Sequence, residues 1–413
     1  ALALAALSTF SLSTLEQAFI AASQSRGTWR KRLRLCALAT MSLLSLLIFM
    51  LGLSALQDQR RANEQRATGE ALATYMLGEF TDKLRPIGRL DLLDSMGAKA
   101  LDYFSTSSDQ DLNPAALTQR AKALQVLAEV RIERHDTKAA LDALQSSDAI
   151  FAKLQMQTGL TRAILSTMGG NARLRGQIAS SRDDWPGANA YFQQYLSLAR
   201  QQLKLLPSDR EALMAQSDAH LHLGMVAIYQ RHFVLADQAF EESIRNTRHL
   251  MDGDRGGRLQ KAGLADAYSW SGFSKEQQGQ LKAAMDFYEK EVTIVRELHS
   301  ENPSEILWAS RWALALQNQV QLNLALGNDE TALAISRQSE QIFQMVLARD
   351  SSNNARMLEM IMIQMRTQRI LARSGTPVET MLALQGLQQV TQKMMQSPGS
   401  RRAWERVDAQ LQL

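Results

Sequence analysis

Residues 220–240 read HLHLGMVAIYQRHFVLADQAF, and three of them, Gly224, Ala236 and Phe240, fix the register of the chain. Alanine recurs every 48 residues, at Ala140, Ala188, Ala236, Ala284 and Ala332. Twelve residues before each stands Ala128, Gly176, Gly224, Gly272 or Val320, and four residues after each stands Leu144, Phe192, Phe240, Tyr288 or Ser336. A fixed period of this size means stacked supersecondary units, none of which can bury its apolar face alone. The spacing has a steric reason. Two antiparallel helices approach closely only where side chains are small, so the Gly or Ala of a first helix is expected to face the Ala of a second. The aromatic four residues on is expected to fill the groove between neighbouring pairs.

The units begin near Pro114. Each turn between paired helices is placed at Asp136, Asp183, Arg231, Gly279 and Gly327. Polar connections such as Pro207-Ser208-Asp209 and Asn302-Pro303-Ser304 are expected to stop one helix and cap the next. A sixth unit over Ala355–Gln396 has lost the motif, with Gln368 and Thr380 at its grid positions, and its methionines (Met357, Met360, Met362, Met365) read as gap fillers. Ser397-Pro398-Gly399 then leads to a short helix, Arg402–Leu411. Upstream, residues 58–84 predict a helix that ends before Pro86, and Leu90–Phe104 another, with residues 105–113 as a loop. These elements are expected to cap the first unit.

From Leu35 to Gln57 no residue is charged, and about 20 apolar residues suffice for a helix to span a bilayer. The run is too long and starts too late for a cleavable signal peptide, and too apolar for a core helix. It predicts a retained transmembrane helix. Arg26, Arg30, Lys31, Arg32 and Arg34 precede it against Arg60, Arg61 and Arg66 after it, which predicts a cytoplasmic N-terminus and residues beyond 57 on the far side of the membrane. Ser13-Thr14-Leu15-Glu16 fits a capping box opening a short helix with Leu15, Phe19 and Ile20 on one side. With no starting methionine, residues 1–34 read as the remnant of a cytoplasmic region.

Composition agrees with helices: 45% hydrophobic residues, 6% aromatics and seven prolines among 413. A net charge of +4 on 46 basic and 42 acidic residues gives no dedicated nucleic-acid surface. The lone Cys36 cannot form an intramolecular disulfide. The fold class expected is all-α, an α-solenoid of stacked helix-turn-helix units following a single transmembrane helix. Its parts are 1–34 as juxtamembrane remnant, 35–57 as the span, 58–112 as N-terminal cap, 113–396 as repeat array and 397–413 as C-terminal cap.

His222-Leu223-Gly224…Ala236…Phe240, Trp270-Ser271-Gly272…Ala284…Tyr288 and Leu174-Arg175-Gly176…Ala188…Phe192 resemble the tetratricopeptide repeat, with longer units than the common 34 residues. The resemblance covers roughly 113–396. It implies a binding scaffold whose first helices line a concave face, and similar long units occur in the extracytoplasmic regions of bacterial signalling proteins, downstream of a membrane helix and a kinase or STAND-type NTPase module, which implies a periplasmic array in a bacterial inner membrane. One use of that face, a clamp for a C-terminal carboxylate, needs Lys and Asn at fixed offsets. The matching positions here are Arg173 and Gln177, then Leu221, His222 and Met225, then Ser269, Trp270 and Phe273, so the clamp is missing.

No motif reads as catalytic, no cofactor is implied, and the six histidines lack metal-ligand spacing, His220 and His222 facing different sides of one helix. Aromatics, Met and Arg are typical interface anchors. The expected protein-binding residues are therefore Arg173, Gln177, Met225, Tyr229, Phe273, Gln277, Gln317 and Gln321. Trp308 and Trp312, four apart, read as packing residues. The expected function is a membrane-anchored interaction or sensor module of a larger bacterial signalling protein, non-catalytic, binding a protein or peptide. The alternatives are a non-signalling envelope scaffold, or the regulatory half of a kinase or NTPase.

Overall fold

The computed structural model describes residues 13–15, 18–19, 40–41, 43–54, 56–57, 68–69, 72, 75, 90–105, 113–252, 257–349, 354–373 and 377–395. The chain divides into two units, 1–75 and 76–413. In the first, the longest described helical run is 43–54. Among the described residues no helix is long and apolar enough to cross a membrane. That overturns the transmembrane assignment of 35–57, and with it the inner-membrane placement, the cytoplasmic N-terminus and the periplasmic array. The predicted loop before Asn113 and the helix Arg402–Leu411 lie outside the described residues, as does most of the helix predicted over 58–84.

The described residues of the second unit form helices joined by short turns, with no strand among them. Helix α1 (Leu90–Ser105) packs against α2. Five helix pairs then follow: α2 (Pro114–Glu133) with α3 (Thr137–Thr158), α4 (Arg162–Ser181) with α5 (Trp185–Leu205), and α6 (Arg210–Tyr229) with α7 (Phe233–Asp252). The others are α8 (Arg258–Gln277) with α9 (Leu281–Glu301), and α10 (Ile306–Ala325) with α11 (Asp329–Arg349). A sixth pair, α12 (Asn354–Arg373) and α13 (Pro377–Met395), occupies the decayed unit. There Met360 and Met365 are buried as gap fillers while Met362 is exposed.

One turn geometry repeats on the 48-residue ruler. His135, Asp183, Arg231, Gly279 and Gly327 all have left-handed backbone, with φ of 60°, 57°, 61°, 73° and 78°. The first turn tip is thus His135 and not Asp136. The next residue in each unit donates its N–H back to the first helix (Asp136 to Arg131 O, His232 to Ala227 O, Gln280 to Lys275 O), the bond that closes a Schellman motif. Its own carbonyl then accepts from the ruler alanine, as His232 O does from Ala236 N at 3.0 Å. The alanine therefore marks the first bonded turn of each second helix, and the locked turn sets the pairing angle.

The glycines make a close contact, but what meets them first is the aromatic ring of their own unit and not the alanine that the spacing predicted. A Cβ built at Gly176, Gly224 or Gly272 would lie 2.5, 2.4 or 2.5 Å from a ring carbon of Phe192, Phe240 or Tyr288. Each ring thus lies on the glycine of its own unit and also reaches the next first helix. Phe192 stacks on His222 with centroids 4.6 Å apart, Phe240 packs near Trp270 and Phe273, and Tyr288 packs with Leu322. At the ends of the array the sizes trade. Ala128 goes with Leu144 and Val320 with Ser336, all four buried.

First helices also touch the next first helix, α2 with α4, α4 with α6 and α6 with α8, while each second helix packs on the following first helix. Their N-caps fall on the ruler at Asn113, Thr161 and Asp209. Asp209, almost fully buried, accepts from the Glu211 and Ala212 backbone N–H groups and receives Arg162 Nε at 2.5 Å and Nη2 at 2.9 Å. The Arg162 pairing holds its carboxyl below the usual value, so its contribution is present above pH 3.8 and is lost as pH falls through the folded pKa. Asp209→Ala is expected to cost about 1–2 kcal/mol at pH 7. In thermal melts the gap to the parent should narrow below pH 3.8; a gap constant with pH would remove the carboxylate from the account.

Candidate functional site

Five first helices, α2, α4, α6, α8 and α10, share one cavity of about 610 Å³, closed on its far side by α5 and α7. Gly263 keeps the α8 wall low, with nothing within 4 Å of where its Cβ would stand, while at Gly169 and Gly170 the Tyr195 ring and the Gln125 amide occupy the space a side chain would take. Between α6 and α7 the cavity meets three buried hydroxyls, Ser217, Ser243 and Thr247. Ser217 Oγ donates to the Ser243 carbonyl at 2.9 Å and lies 2.6 Å from Thr247 Oγ1. A polar floor under apolar walls (Leu250, Leu259, Met214) is the usual composition of a ligand site.

Charges cross this cavity from helix to helix. Arg173 on α4 donates to Glu129 on α2 at 3.3 Å, and Arg311 on α10 donates to Asp266 on α8. Asp218, on α6 between them, accepts from the buried Tyr195 hydroxyl, whose pKa burial pushes well up. His222 Nε2 lies 3.6 Å from Asp218, and burial holds this imidazole below its ordinary pKa, which keeps it neutral at pH 7. Burial pushes Asp266 up against the pull of Arg311, and the Asp218 charge adds to the rise. Close by, the buried Glu291 of α9 accepts from Asn318 Nδ2 of α10 at 3.1 Å, and the same amide lies 3.2 Å from Ser269 Oγ of α8. Burial raises Glu291 to about 7.

A second feature is a row of rings. Trp185 stacks on Tyr229 at 4.3 Å, Tyr229 meets Trp270 edge-on at 6.5 Å, and Trp270 meets Phe273 at 5.7 Å. Tyr229 is 51% exposed, the most open ring of the row.

The residues expected from sequence divide between these features. Arg173 lines the cavity. Met225, Tyr229 and Phe273 gather at the aromatic row, Met225 and Phe273 being half-buried around Phe240. Gln177 is half-buried, and Gln277 and Gln321 are exposed. Gln317 is buried, and its side-chain and backbone oxygens both accept from Arg366, so it is committed inside the stack. Trp308 is buried against Leu298 and Ala262, and Trp312 packs at the α10–α11 core beside His299, in keeping with their reading as packing residues.

Sequence reasoning missed Asp218, Asp266, Arg311 and Tyr195. A signal existed for two of them: Lys122, Gly170, Asp218 and Asp266 occupy one column of the 48-residue ruler. Reading that column as a column, instead of as scattered charges on solvated faces, points to the cavity.

Helix pairs of constant turn geometry, stacked second helix to first helix, with a small residue, an alanine and an aromatic in register, settle the architecture. The fold is a tetratricopeptide-like repeat solenoid. No protein-family model matches the sequence, and no curated protein matches it. Among solved structures it is similar to the apo form of RapI, with a TM-score of 0.54 at 11% identity over 83% of this chain and 86% of that one. A Rap protein complexed with competence and sporulation factor gives 0.48 at 12% identity, over 83% of this chain and 78% of that one. The S. pombe nuclear import adaptor Nro1 gives 0.47 at 13% identity, over 72% of this chain and all of the other. At 11% identity the likeness to RapI is one of fold.

Proposed function

We propose that this chain is a non-catalytic interaction scaffold that binds an extended protein or peptide segment along its first helices. The observation that carries the reading is the cavity shared by five of those helices, with paired charges across it and a row of aromatic rings on the same array. A repeat solenoid offers this kind of extended surface, and rigid rings such as Tyr229 and Trp270 supply large contact area. The repeat resemblance further supports a place as the ligand-binding part of a larger signalling protein.

Selecting a displayed random peptide library on the full chain tests the reading. Bound peptides are expected to slow backbone hydrogen exchange in α4, α6 and α8. Trp270→Ala should weaken their binding by about ten-fold or more, the range of interface hot spots. Failure to enrich any peptide, or protection confined to the second helices, would overturn it.

A further inference from the structure

We propose that α13 is a contact between two copies of this chain, its outer ridge packing antiparallel on the same ridge of the second copy about a two-fold axis at Gly386. The contact is separate from the peptide-binding surface, since α13 lends no residue to the cavity.

The sequence sets α13 apart from the other second helices. Val378, Leu382, Gly386 and Val390 recur every four residues, which lines them up as one ridge of an α-helix. On the 48-residue ruler the Gly386 column holds Ser146, Gln194, Glu242, Lys290 and Gln338 in the earlier second helices, all of them polar. The Leu382 column holds Asp142, Ala190, Gln238, Asp286 and Ala334, none of them large and apolar. The structure leaves the ridge open. Val378 is 68% exposed, Leu382 64% and Val390 41%, and nothing lies within 4 Å of where a Gly386 Cβ would stand. In α11 the Val390 column is Ile342, which is buried in a cluster with Met360 and Ile363 of the following first helix. An end unit needs a polar outer face to stay in water, so an apolar one marks an interaction site.

The ridge selects a second copy because it is complementary to itself. In an antiparallel crossing centred on Gly386, each residue faces the one equally far beyond the glycine on the other helix. Leu382 then meets Val390 of the partner subunit, and by symmetry the contact is made twice. Gly386 at the centre removes the side chains that would hold the two backbones apart. Glu379 and Lys393, the charged residues of α13, stand seven positions before and after Gly386, about two turns away and so on the same face. The antiparallel crossing sets acid position 379 against base position 393 at both ends. A parallel crossing in register would set each charge against its own kind, which selects the antiparallel one. One pair of crossing helices buries less than the about 1,200 Å² of a standard interface, so the association is expected to be reversible, with a Kd in the micromolar range.

Sedimentation equilibrium of the full chain tests the contact, and a monomer–dimer equilibrium is expected. Leu382→Glu should weaken it by about ten-fold or more, because the change enters the contact twice. Gly386→Leu should do the same by holding the helices apart. Both variants should keep the helical circular dichroism of the parent, since both positions are open within one chain. Glu379→Lys sets like charges opposite at both ends and should weaken the dimer several-fold; Glu379→Lys together with Lys393→Glu should restore it, which a contact with any other surface would not do. A full chain that stays monomeric, a dimer as tight in Leu382→Glu as in the parent, or no recovery in the double reversal overturns the proposal. A monomer whose melting midpoint falls on Leu382→Glu also overturns it, and gives the ridge to another segment of the same chain.

Discussion

Gly224→Ala is expected to destabilise the array by about 1–3 kcal/mol, the cost of overpacking a filled core. An exposed helical glycine would behave oppositely, since alanine is favoured over glycine inside a helix by about 1 kcal/mol. The sign is decided by Phe240. Its ring, 1% exposed, lies 2.4 Å from where the new Cβ would stand, and a ring pinned between α6 and the following first helix cannot swing aside. The array itself shows how the clash is relieved, because the first unit pairs Ala128 with Leu144 at the same two positions. Gly224→Ala combined with Phe240→Leu should therefore be more stable than the sum of the two single changes predicts, by about 1 kcal/mol or more. Gly263→Ala, on α8 with no atom within 4 Å of its Cβ, is the internal contrast and should raise stability by up to about 1 kcal/mol. Urea unfolding of the full chain measures all four. A Gly224→Ala variant as stable as the parent would show that the ring does not rest on the glycine.

These contacts were largely legible because they repeat. A period ties Gly224, Ala236 and Phe240 to their counterparts, so a steric rule inferred once applies in each unit, and the pairs from α2 to α13 follow. The turn tip at His135 was misplaced by one residue for lack of a glycine there: a histidine in left-handed backbone gives no compositional signal, although the ruler itself points to position 135. The candidate site was legible only in part. Met225 and Phe273 pack around Phe240, and Tyr229 stands beside them in the aromatic row. Asp218 and Asp266 gain their meaning from stacking neighbouring units, and Tyr195 and Glu291 enter from second helices, where nothing local distinguishes them from other polar residues. The stretch around 43–54 misled for another reason. Absence of charge measures transfer from water into any apolar phase and does not by itself select a bilayer.

Glu291→Gln is expected to stabilise the protein by on the order of 3 kcal/mol at pH 8 and to leave it nearly unchanged at pH 4. Glu291 is 8% exposed, and burial lifts its carboxyl from 4.5 to about 7 in the fold, against the hydrogen bonds from Asn318 and Ser269, which pull it down. The nearby Asp266 charge adds to the rise and Arg311 opposes it. With the folded pKa above the unfolded one, the native state holds a proton that the unfolded chain has released. Stability must then fall as pH rises from 4.5 to about 7, and the full cost is felt above that window. Glutamine keeps an oxygen to accept from Asn318 Nδ2 and carries no charge to desolvate, so it removes the slope and preserves the link between α9 and α10. Chemical unfolding of both proteins from pH 4 to pH 8 should give curves that coincide at the acid end and part steadily through the window. Parallel curves would mean that Glu291 is ionised in the native state as easily as in water, and that the seam between α8, α9 and α10 is wetter than its burial implies.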